Sequence, residues 1–72
     1  MKYYYRVVGE FPNGDTNYDF NVLSLRELRK IHKKILHSHY YYIYKYSKGK
    51  YKEEIYEKRW GKVYLDKKNL DK

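Results

Sequence analysis

Seventy-two residues with 17 Lys+Arg against 9 Asp+Glu make a short basic chain of formal net charge +8. That length holds one hydrophobic core and excludes a barrel enzyme, a full dinucleotide-binding fold or a second domain. Cys is absent, which removes a disulfide frame, a thiolate zinc site and a cysteine nucleophile.

The chain opens as a β-hairpin. Tyr3, Tyr5, Val7, Gly9 and Phe11 alternate with Tyr4, Arg6, Val8 and Glu10, and Thr16, Tyr18, Phe20 and Val22 alternate with Asn17, Asp19 and Asn21. A period of two with β-branched and aromatic residues is a strand pattern. Pro12-Asn13-Gly14-Asp15 between the two runs is turn chemistry. A register that sets Phe11 opposite Thr16, Val7 opposite Phe20 and Tyr5 opposite Val22 collects one apolar face.

A helix is predicted from Leu25 to His37. Ser24 and Glu27 have capping-box spacing, and Leu23 and Leu28 occupy the two positions of a hydrophobic staple. At 100° per residue, Leu25, Leu28, Ile31, His32, Ile35 and Leu36 share one arc. Arg26, Arg29, Lys30, Lys33, Lys34 and His37 fill the opposite one.

The second half reads as another hairpin. His39 to Tyr46 has high β-propensity, Ser47-Lys48-Gly49-Lys50 is a turn, and Tyr51 to Arg59 returns. The stretch 52–59 also fits a helix, with Glu54 and Lys58 spaced i,i+4 and Gly61 as a stop. Strand is preferred because the preceding strand needs a partner. Trp60 to Leu65 can add a short strand. The expected fold is therefore α+β in the order β-β-α-β-β: a four-stranded, mainly antiparallel sheet with one amphipathic helix on one face. The other face is left open, carrying Tyr, Arg and Lys. Residues 1–65 form the domain, and 66–72 read as a frayed polar tail.

Tyrosine dominates the apolar content. Twelve of the 30 hydrophobic residues are Tyr, so the core must be built partly from side chains whose hydroxyls need a partner or water. The surplus charge is concentrated, with nine cations and one acid between residues 26 and 52. Two candidate binding features follow. The helix stripe Arg26, Arg29, Lys30, Lys33, Lys34 and His37 can follow a phosphate backbone, where counterion release drives association; its plain alternative is a solvated face. The hairpin residues Tyr42, Tyr44, Lys45, Tyr46, Lys48 and Lys50 interleave rings with cations, as base stacking and protein interfaces both require. The plain alternative is core packing.

Chemistry beyond binding finds little footing. His32 and His37 lie more than 100° apart on a helix and cannot share a metal ion, and no Gly-rich phosphate loop or nucleophile elbow is present. No cofactor, metal or enzymatic activity is expected, although a small ribonuclease using His, Tyr and Lys is conceivable chemistry. No run reaches membrane-spanning length, and the polar N-terminal residues do not resemble a signal peptide. A composition rich in Lys, Tyr, Ile and Asn and free of Ala follows AT-rich codons. It resembles that of accessory proteins of phages or mobile elements, with no defined motif behind the likeness. The expectation is a cytoplasmic binding protein, in a bacterial host, for nucleic acid or a nucleoprotein complex. The second expectation is an inhibitor or modulator of a host protein, docking on its acidic surface. The open Tyr-rich face also offers a homodimer contact.

Overall fold

The computed structural model describes residues 3–71; Met1, Lys2 and Lys72, which fall at the ends of the expected domain and tail, lie outside the described residues. Five strands and one helix follow in the order β1 (Tyr4–Glu10), β2 (Thr16–Val22), α1 (Leu25–Lys34), β3 (Tyr41–Ser47), β4 (Lys50–Arg59) and β5 (Lys62–Asp66). The strands form one antiparallel sheet in the order β2-β1-β3-β4-β5. The class is α+β as expected, but the sheet has five strands rather than four.

Hydrophobic alternation sets the first hairpin. Val7 pairs with Phe20 and Tyr5 with Val22, while an irregularity between Gly9 and Glu10 moves Thr16 opposite Glu10 rather than Phe11. Gly9 is required by contact: a Cβ there would sit 2.1 Å from the Tyr18 ring, which lies across the glycine. Residues 52–59 are strand, and the turn between β3 and β4 places Lys48 and Gly49 both at positive φ, as a tight hairpin turn demands. A bulge then leaves Ile55 without an opposite number between the Ile43–Tyr56 and Tyr44–Glu54 pairs, so Ile55 and Tyr56 both reach the core. The fifth strand follows from Trp60 and Gly61, both at positive φ, which turn the chain back onto β4.

The core comprises Tyr5, Val7, Val22, Leu28, Tyr41, Ile43, Ile55, Tyr56 and Leu70, with Tyr18, Phe20, Leu25, Ile31 and Ile35 packed at its margin. Tyrosine accordingly supplies three of the nine core residues. Three details differ from expectation. The helix ends at Lys34 rather than His37, because Ile35 leaves helical geometry and the Ser38 N–H turns back to the Ile35 carbonyl. Leu36 is consequently 45% exposed, and Leu23 does not staple onto Leu28 but is 67% exposed. The third difference lies beyond β5. Residues 67–71, expected to fray, instead form a strap between helix and sheet in which Leu70 is only 6% exposed. Asp66 holds it, accepting from the Leu70 N–H at 2.7 Å and the Asp71 N–H at 3.1 Å.

Candidate functional site

The helix carries the first candidate surface. Ser24 is extended (φ −144°) and its hydroxyl accepts from the Glu27 N–H at 3.2 Å, starting the helix at Leu25. From there the 3.6-residue period turns Leu28 and His32 inward and leaves Arg26, Arg29, Lys30, Lys33 and Lys34 exposed on one side. The guanidinium of Arg29 donates to the Lys68 carbonyl at 3.2 Å and so helps to hold the strap. Among the described residues, Arg26, Lys30, Lys33 and Lys34 form no ion pair. A shallow groove runs along them, lined by Ser24, Arg26, Glu27, Lys30, Ile31 and Lys34. His37 is exposed but lies beyond the helix, in the loop leading to β3, and does not continue the stripe.

The hairpin residues are divided by strand alternation, not interleaved. Tyr41, Ile43 and Lys45 point to the helix side, where the Lys45 ammonium sits 4.1 Å above the Tyr3 ring. Tyr42, Tyr44 and Tyr46 point to the open face, and Lys48 and Lys50 are exposed at the turn beyond it. Rings on the open face form a connected series: Tyr42 stacks on Tyr44 at 6.5 Å, Tyr44 and Tyr46 both meet Tyr51 edge-on at 6.0 Å, and Tyr46 stacks on Tyr4 at 5.4 Å.

The charges among these rings are mostly acidic rather than the expected lysines. Tyr44 pairs with Glu54 and Tyr42 with Glu57, and Glu10 lies close to Tyr42. Partial burial, and then Glu54, push the Tyr44 hydroxyl up to about 12. Burial followed by Glu10 raises that of Tyr42. Arg59 is paired with Glu57 at 2.9 Å, and Arg6 grips Asp19 through two contacts of 2.9 and 2.6 Å. Glu10 and Glu54 form no ion pair among the described residues. The sheet face is thus aromatic and anionic, while the helix face is cationic.

A third cluster, which sequence reading missed, is buried. His32, 1% exposed, places Nε2 at 2.7 Å from an Asp71 oxygen and Nδ1 at 3.2 Å from the Tyr41 hydroxyl. The Tyr41 hydroxyl is 3.2 Å from that of Tyr56, which reaches Asp71 at 3.1 Å. A neutral imidazole and two phenols bring three protons to this closed ring of four contacts; an imidazolium brings the fourth. Asp71 lies 39 residues from His32 in sequence, so no local spacing signals the pairing. Lys58, also buried, donates to the Leu36 carbonyl just past the helix end. These groups tie helix, strap and sheet together.

Comparison with protein-family models, with curated proteins and with solved structures finds no match to this chain. Among the described residues no helix is long and apolar enough to cross a membrane.

Proposed function

We propose that the protein is a small non-enzymatic basic binding protein whose helix face engages nucleic acid, free or within a nucleoprotein complex. The observation that carries this reading is the cationic side of α1: Arg26, Lys30, Lys33 and Lys34, exposed and free of acidic partners among the described residues. Solvated surfaces ordinarily mix both signs. Here Glu27 is the one acid in the helix, at its first turn, where a negative charge suits the macrodipole. A rigid run of cations releases counterions from a phosphate backbone on contact. The open sheet face contributes little to that contact, since Glu10 and Glu54 repel phosphate.

The test is Lys30→Glu combined with Lys33→Glu. Both side chains are exposed, so the fold is expected to survive, as circular dichroism will verify. Affinity for duplex DNA is expected to collapse, and each lost phosphate contact flattens the slope of log K against log salt by about 1. A loss confined to binding of a folded acidic protein, seen mainly in the association rate, selects the host-protein reading instead. Unchanged binding to both overturns the helix-face site.

A further inference from the structure

We propose that the open sheet face is a second binding surface, and that its occupant is a cationic segment, rich in arginine or lysine, of a partner protein. The surface is built from Tyr42, Tyr44, Tyr46 and Tyr51 with the carboxylates of Glu10 and Glu54 beside them. No element of the described chain covers it, because the helix and the strap both pack on the other side of the sheet.

Charge complementarity selects the occupant. The face of a phenol ring is the negative end of its quadrupole and attracts guanidinium and ammonium groups. The chain already uses this contact, with Lys45 above Tyr3 on the helix side and Arg59 above Tyr64 at the edge of the open face. Around the Tyr42–Tyr44–Tyr46–Tyr51 rings the nearby cations are committed: Arg6 is held by Asp19 and Arg59 by Glu57, while Lys62 lies over Tyr64 at the β5 edge. Glu10 and Glu54 therefore stand beside stacked rings without an ion-pair partner among the described residues, and Arg59 offsets Glu54 only in part. Burial raises the Glu54 carboxyl, with Glu57 adding to it, which marks a partly desolvated acid that a cation relieves.

The net charge of +8 does not forbid this. The cationic helix lies across the sheet, and the smallest dimension of the molecule is 19 Å. The Debye length at physiological ionic strength is about 8 Å, so charges on one face are largely screened at the other. The protein then has two sides of opposite preference, able to hold a polyanion and a basic polypeptide together.

The experiment titrates 15N-labelled full-length protein with a peptide of alternating arginine and glycine, and separately with a glutamate–glycine peptide and a neutral oligosaccharide. Shifts are expected from the arginine peptide alone, centred on Tyr42, Tyr44, Glu10 and Glu54. Glu10→Gln with Glu54→Gln is expected to weaken binding tenfold or more, with an unchanged melting curve as the folding control. Lys30→Glu with Lys33→Glu, which disables the helix face, is expected to leave it intact. Four results overturn the proposal: sheet residues left unshifted by the arginine peptide; the double glutamine variant bound as tightly as the parent protein; the same residues shifted as strongly by the oligosaccharide; and sheet signals that move with protein concentration alone, in which case a second copy of the chain is the occupant.

Discussion

The Asp71 carboxylate accepts from His32 and Tyr56, while its own backbone N–H donates to Asp66. Its own side chain is 30% exposed while both partners are buried, so it closes a polar network from the solvent side. Removing it leaves the His32 Nε2 and the Tyr56 hydroxyl without their acceptor. A buried donor left unpaired costs about 1–3 kcal/mol. Asp71→Ala is therefore expected to destabilise by about that amount, measured as a lower denaturant midpoint at unchanged slope. A neutral result would mean that water replaces the carboxylate without loss.

The helix shows the same logic one level up. It has 10 residues, too few to be stable alone, and depends on its cap and on the inward stripe of Leu28 and His32. Ser24→Ala is expected to cost about 1 kcal/mol and to lower the melting temperature by several degrees, as followed by circular dichroism. The start of this helix was legible because a cap is a local device; its end was not, since no glycine marks it. Past that end, the His39 and Tyr40 carbonyls accept from the Gly61 and Glu10 N–H groups, which fastens the chain to the sheet. Both hairpins were readable from alternation and turn residues. β5 was only half visible, since Gly61 fits a helix stop as well as a two-residue turn. The strap was hidden because a lone Leu70 in a polar run carries no period. For the surfaces, the cationic helix face followed from the wheel, whereas the anionic character of the sheet did not. Glu10 and Glu54 meet the tyrosines through strand pairing, and Lys45 leaves that face by alternation.

At the scale of the molecule, a tyrosine-built interior gives a one-sided response to pH. Burial is the main cause raising the hydroxyls of Tyr41, Tyr44 and Tyr56, the last two to about 12. In the unfolded chain tyrosine titrates near 10. Between those values the folded state binds more protons than the unfolded one, so stability is full below about pH 10 and falls as pH rises. The slope is at most about 1.4 kcal/mol per pH unit for each of the buried Tyr41 and Tyr56, and smaller for Tyr44, which solvent partly screens on the open face. On the acid side, hydrogen bonds from Arg6 and Lys67 lower the carboxyls of Asp19 and Glu53. Their contribution is present above the unfolded carboxylate range and is lost as pH falls through the folded values. Both pairs are substantially exposed, so solvent screens them. Denaturant midpoints measured from pH 3 to 12 are expected to drop more steeply above pH 10 than these two pairs make them drop below pH 4. A midpoint level through pH 11 would contradict the burial of these hydroxyls.

The strand order β2-β1-β3-β4-β5 also decides which part of folding is slow. Neighbours β1–β2, β3–β4 and β4–β5 are joined by tight turns, but β1 meets β3 only after the chain has passed through β2 and the helix. The closest such pair in sequence is Gly9 with Tyr41. Closing a loop of that length costs about 1.6 kcal/mol more in chain entropy than closing the five-residue turn between β1 and β2. Hairpins close in microseconds. The first hairpin and the β3–β4–β5 meander can therefore form early and separately, and the β1–β3 seam is the joint at which two preformed halves become one molecule. The helix spans that seam as the connecting segment, so its nucleation shortens the free chain to be closed, and it contributes to folding rate as well as to final stability.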